Sequence, residues 1–284
     1  PYAYNVEAYA LETRLDPAGA YEKPAFTANI AGKTPVAYIA GWHGTRDAAF
    51  LSALLNQGIR VKYPEFPFKT EGKSFPAGTL LITKGGNEYV ANFDQKVVET
   101  ANKFGIQLDT TMTGYVEEGK DFGSPNIRVI QAPKVALVGG QGTNSLGFGE
   151  LWHFFEKELN YPLSTLELED MARYDLNKYD VIILPSTRGG SLNKAAQDKV
   201  MDWVKAGGKL VAIDGALNLF ANKEGFALKN FDTDEEKKAA EKAADSLAKA
   251  ERLAPYTEGE RLAISGGAAG AIYQVAMDET HPLG

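Results

Sequence analysis

Apolar residues in this chain fall into short runs separated by stretches of helical period, the pattern of an α/β protein. Val36-Ala37-Tyr38-Ile39-Ala40 reads as a strand, and Gly41-Trp42-His43-Gly44 turns the chain after it. Thr45 can cap the next helix, whose Ala48, Leu51, Leu54 and Leu55 share one face and which Gly58 ends. Residues 59–63 alternate apolar and polar, as a half-buried strand does. Residues 78–83 give a further strand, Asn92 caps a helix to about Phe104, and Ile106-Gln107-Leu108 is a strand after it. These elements form a small α/β domain over 36–131. Residues 1–35 show no sustained period and read as an irregular lead-in.

The second half is more regular. Val135-Ala136-Leu137-Val138 is a buried-type strand, followed by a helix over 148–159 with Phe148, Leu151, Trp152, Phe155 and Leu159 on its apolar face. Strands follow at 165–168, 179–185 and 209–214, with a helix over 192–206 before the last of them. The run at 179–185 is almost wholly apolar, as a strand covered on both faces must be. Strands alternating with helices at this spacing imply right-handed crossovers and a flavodoxin-like parallel sheet. Thr233 and Glu236 form a capping box that opens a charged helix to about Leu253. That helix reads as a surface excursion before a last strand at 271–277. The second domain, 132–284, reads as cut short at its C-terminus.

Composition narrows the function. The chain has 284 residues, 44 % hydrophobic and 24 % charged, which suits two ordinary domains. A net charge of −7 with no Lys/Arg cluster argues against nucleic acid and anionic membrane as partners. No apolar run approaches the ~20 residues of a membrane span. The absence of cysteine removes thiol nucleophiles, disulfides and thiolate metal sites together.

Several stretches occur in a specific order. They are Gly58-Ile59-Arg60-Val61, Pro67-Phe68, Gly72-Lys73-Ser74-Phe75, Gly78-Thr79-Leu80-Leu81-Ile82, residues 119–124 as GKDFGS, residues 149–156, Tyr161-Pro162, residues 179–185 and residues 278–283. In that order, over most of 36–284, the chain resembles the region after the catalytic domain in large zinc carboxypeptidases of the M14 peptidase class, found especially in Bacteroidetes-type bacteria. The resemblance implies a class I glutamine amidotransferase-like domain at the end. It also implies an exported parent, secreted or periplasmic, whose catalytic module lies upstream and holds the zinc. This fragment would then carry no cofactor, and its partner would be the upstream peptidase domain of the same chain.

Candidate chemistry is sparse. Amidotransferases of that class display a cysteine on a sharp strand-to-helix turn. Here the turn reads Ala212-Ile213-Asp214-Gly215, and His281-Pro282-Leu283 stands where that family has H-P-E. Removing a triad nucleophile forfeits on the order of 10⁶-fold in rate, so the turn reads as degenerate. The alternative is a hydrolase or amidase using Asp214 and His281 with Glu150 or Arg188. His153 and Glu156 match H-x-x-E and are weak metal candidates, against a solvated helix face on which Trp152 and Phe155 mark the buried side. Gly139-Gly140-Gln141-Gly142 follows a strand, and Gly140, Gly142 and Arg188 are ligand-crevice candidates at strand C-termini. No acidic residue ends the next strand at the right place for a dinucleotide fingerprint, Glu167 and Glu169 being possible but unaligned. His43, before a helix N-terminus, is a further crevice candidate against a capping role.

Overall fold

A computed structural model describes residues 11–14, 19–20, 22, 25–30, 34–188, 192–224 and 226–229, with scattered positions between 236 and 246. The compact unit Pro24–Lys229 carries both sheets. The other unit comprises Pro1–Lys23 and Asn230–Gly284; in it the described positions between 236 and 246 are helical, where a charged helix is expected. Thr233, the strand expected at 271–277 and His281 lie outside the described residues.

The first sheet is antiparallel. Its strands are β1 (Ala37–Ala40), β2 (Lys62–Pro64), β5 (Leu80–Thr83), β6 (Asp109–Thr111) and β7 (Ile127–Val129), in the order β6-β1-β5-β2-β7. A separate hairpin pairs β3 (Phe68–Thr70) with β4 (Lys73–Phe75). β1 and β5 pair in register from Ala37 opposite Thr83 to Ala40 opposite Leu80, and every residue of both strands is buried. Tyr38, Ala40, Leu80 and Ile82 face helices α1 (Thr45–Asn56) and α2 (Phe93–Phe104), packing with Phe50, Leu54, Val97 and Ala101. Ala37, Ile39 and Leu81 face the other way, under Phe68 of the hairpin and Phe122. Phe68 stacks on Phe75 at 5.1 Å and meets Phe122 edge-on at 5.6 Å. Each large side chain fully buried here contributes roughly 1.5–3 kcal/mol.

Local signals explain the ends of α1. Gly44, not Thr45, is its N-cap, and Gly58 follows it at φ +74°. The Gly58 amide donates to Leu55 O and the Ile59 amide to Leu54 O, the closing bonds of a left-handed glycine cap. Irregular chain before the sheet is fastened at Asn29. Its backbone and side chain bond to Asn102, Ile106, Gln107 and Leu108 around the end of α2.

The second sheet is parallel and is covered on both faces. Its strands are β8 (Val135–Gly139), β9 (Leu163–Glu167), β10 (Val181–Leu184) and β11 (Lys209–Ala212), in the order β11-β10-β8-β9. On one face Ala136, Val138, Ile182 and Leu184 pack with Ala196, Val200 and Trp203 of α4 (Lys194–Lys205). On the other face Val135, Leu137 and Ile183 pack with Phe148 and Leu151 of α3 (Ser145–His153), and with Phe155 beyond it.

Two sequence expectations need correction. The helix expected from 148 begins at Ser145, because Asn144 caps it by accepting from the Gly147 amide at 2.9 Å. At Phe154 it widens into a π-helical turn, Phe154–Glu158. The wider turn keeps Phe155 against the sheet and leaves Trp152 49 % exposed, so Trp152 does not mark the buried side.

Helix α1 reaches from the first half of this unit to a carbonyl of the second. Asn56 Nδ2 and Ser52 Oγ of α1 both donate to Asn160 O, at 2.7 and 3.3 Å. Among the described residues no helix is long and apolar enough to cross a membrane.

Candidate functional site

In the parallel sheet, β8 is flanked by β9 on one side and β10 on the other. The chain therefore reverses direction across the sheet between β8 and β10, and their C-terminal ends open a crevice there. The glycine loop after β8 forms one wall. Gly140 and Gly142 sit at φ +91° and +94°, where a side chain would strain the backbone. A Cβ on Gly139 would lie 2.7 Å from the Phe148 ring, so the first glycine lets α3 lie close on its strand.

Pro185-Ser186-Thr187-Arg188, leaving β10, forms the facing wall, and backbone bonds join the two. The Asn144 amide donates to Ser186 O at 2.8 Å, the Arg188 amide to Gly142 O at 3.0 Å, and Thr143 pairs with Thr187. The crevice measures about 300 Å³ and is lined by Gly142, Asn144, Ser145, Leu146, Thr187 and Arg188, among others. Gly142 and Arg188, expected from sequence, thus come together, with Gly140 two residues behind Gly142 in the same wall.

Sequence reasoning missed three neighbours. Thr187 is buried, and its Oγ1 has no hydrogen-bond partner among the described residues. Ser186 sits beside it and reaches Asp214. Glu167, judged unaligned from sequence, pairs in register with Gly139, and its carboxylate lies against Gly140 where a Cβ would be. Strand pairing alone reveals that alignment, since 28 residues separate the two in the chain.

Asp214 lies two residues past the end of β11 and opens the short helical segment Asp214–Leu219. Its φ is +50°, a left-handed conformation uncommon for a residue with a side chain. A Cβ on Gly215 would come within 2.8 Å of Thr187 O, so the turn presses against the loop after β10. Ser186 Oγ donates to Asp214 Oδ2 at 2.7 Å. That bond, and then the Gly215 amide, hold the Asp214 carboxyl below the usual carboxylate range. The ionised carboxylate acts here as an acceptor that joins the loop after β10 to the turn after β11.

The remaining candidates are spread out. Glu150 is exposed on α3. His153 and Glu156 are exposed too, and Glu156 pairs with Lys157 at 2.8 Å. Among the described residues no three His, Cys, Asp or Glu side chains gather as a metal site would require. His43 lies at the end of a strand in the antiparallel sheet, where no parallel switch point exists. Its amide and that of Gly44 donate to Asp47 Oδ2 at 2.7 and 3.0 Å, which is helix capping.

No family profile, no curated protein and no solved structure matches this chain.

Proposed function

We propose that this chain is a non-catalytic accessory region of a zinc carboxypeptidase-like protein, and that its parallel-sheet domain is an amidotransferase-like scaffold without a working nucleophile. The observation that carries this is Asp214. It occupies the strained turn after a parallel strand, at φ +50°, with its carboxylate tied to Ser186. A turn of that kind displays a reactive atom in active relatives of such folds. Here it holds a carboxylate that bonds two parts of the scaffold together.

The accessory role follows from the family resemblance of the sequence. The partner is the peptidase module upstream in the same chain, and that module holds the zinc. In this reading the region positions or supports the peptidase module and does not itself hydrolyse. Export to the periplasm or beyond belongs to the same reading.

Two measurements test it. The coding sequence upstream of Pro1 should specify H-x-x-E followed by a third histidine and a glutamate; a parent without them ends the carboxypeptidase assignment. Glutaminase and peptidase assays on this chain should show no turnover. Turnover abolished by Asp214→Asn would favour instead a hydrolase built on Asp214.

A further inference from the structure

Trp152 stands half out of the protein, 49 % exposed, while Phe148 and Phe155 on either side of it in the chain pack onto the parallel sheet. The π-helical turn that starts at Phe154 brings Phe155 back to the sheet and leaves Trp152 outside. Turns of this kind are frequent at functional sites.

Trp152 borders a groove of about 440 Å³ between α1 and the second half of this unit. Asn56, from the end of α1, forms one wall; Glu156 and residues 160–163, which lead into β9, form the other. Asn56 Nδ2 donates to Asn160 O at 2.7 Å, so the walls are fastened to each other at the groove itself. Ligand pockets form preferentially where two such parts of a chain meet.

The groups left over define what fits. The Asn56 side-chain carbonyl, the Asn160 side-chain amide and the Trp152 indole nitrogen have no partner among the described residues. An amide side chain both donates and accepts, as a ligand hydroxyl also does. Glu156 adds carboxylate acceptors, one oxygen being held by Lys157 at 2.8 Å. Among the described residues no Lys or Arg lines the groove, so an anion finds no countercharge there. Trp152 is the aromatic face open for stacking, because the Tyr161 ring packs on Phe155 at 6.4 Å and its hydroxyl donates to Pro133 O. A cage of several aromatic faces around a cation is not built from these residues.

We infer that this groove binds a neutral pyranoside, one or two sugar rings with equatorial hydroxyls. Such a ring has an apolar C–H face, which lies on Trp152, and a rim of hydroxyls, which Asn56, Glu156 and Asn160 take. A volume of about 440 Å³ is at the smaller end of ligand pockets and suits a ligand of that size. Binding of this kind is independent of whether the parent is a peptidase.

Calorimetric titration of the full chain tests the assignment, with cellobiose, N,N′-diacetylchitobiose and choline as probes. At least one disaccharide should bind at a single site with Kd of about 1 mM or below. Choline should bind more weakly. Trp152→Ala should weaken the disaccharide at least tenfold, and Trp152→Phe, which restores an aromatic face, should recover most of that loss.

Asn160 gives a second readout that spares the fold. It sits at φ +48°, a conformation glycine adopts freely, so Asn160→Gly removes the side chain and keeps the carbonyl that Asn56 and Ser52 use. As a sugar contact its loss should weaken binding about fivefold with the melting temperature nearly unchanged. An asparagine that serves the turn alone would leave affinity where it was. Absence of saturable binding at tens of millimolar of either disaccharide overturns the inference. So does tighter binding of choline, or an affinity unmoved by Trp152→Ala or by Asn160→Gly.

Discussion

Ser186 Oγ donates to Asp214 Oδ2 at 2.7 Å, and this hydrogen bond ties the loop after β10 to the turn after β11. It joins adjacent strand ends on the side of the sheet where the crevice opens, beside the backbone bond from the Ile213 amide to Leu184 O.

Ionisation of Asp214 should therefore be measurable as a stability effect. Its folded pKa lies below the ordinary value of 3.8, so the stabilisation is complete above that value and is lost as pH falls through the folded one. Carboxyl-carbon NMR titration should give a midpoint below 3.8, and Ser186→Ala should move it back up. An unchanged midpoint in that variant would assign the shift elsewhere.

The alkaline limit involves Tyr38. Burial first, and then its hydrogen bond to Asp94 Oδ1 at 3.0 Å, push the Tyr38 hydroxyl well above its usual value. A raised folded pKa means full stabilisation below the unfolded value of about 10, lost progressively as pH rises beyond it. Ultraviolet titration of the folded protein should show one tyrosine that ionises only on unfolding. Tyr38→Phe should remove that component and flatten the loss of stability above pH 10.

Asn87 should be among the costliest polar residues to remove. It is 1 % exposed; its Nδ2 donates to Arg60 O and Thr83 O at 2.8 and 2.9 Å, and its Oδ1 accepts from the Arg60 amide at 2.7 Å. It thereby joins the segment before β2 to the end of β5. Asn87→Ala leaves three backbone groups unpaired and should cost about 3 kcal/mol. Urea unfolding should show the midpoint falling with little change in slope.

Gly119 and Gly123 make a matched pair in one loop. Gly119 sits at φ +98°, and a Cβ there would lie 2.7 Å from Pro67 O and 2.9 Å from Phe68 Cα. Gly119→Ala should cost about 3 kcal/mol, because strain and a backbone clash act together. A Cβ on Gly123 meets nothing within 4 Å, so Gly123→Ala should be neutral within about 0.5 kcal/mol or slightly stabilising. Thermal melts of both variants decide it.

The parallel sheet was legible because its central strands are written as continuous apolar runs. Val135-Ala136-Leu137-Val138 and Val181-Ile182-Ile183-Leu184 leave no polar face, so helices had to cover both sides. The antiparallel sheet was legible only in part: β1, β5 and β2 fall on or overlap the runs expected at 36–40, 78–83 and 59–63, but β6 and β7 are three residues each, too short to hold a periodicity. β6 begins at Asp109, just past the strand expected at 106–108, and the hairpin of β3 and β4 went unseen. His43 was weighed as a crevice residue because its strand was read without its neighbours. Asp214 could be placed on its turn, since Asp-Gly ends an apolar strand. Its partner Ser186 could not, being 28 residues away and brought near only by the pairing of β10 with β11.

Asn29 has a consequence for how this region is joined to whatever precedes it. Six hydrogen bonds at one residue act as a mooring point, so a pull on upstream polypeptide is taken up at the end of α2 before it reaches β1. Recombinant boundaries drawn downstream of Asn29 forfeit that protection and leave the amide of Leu108 without its acceptor.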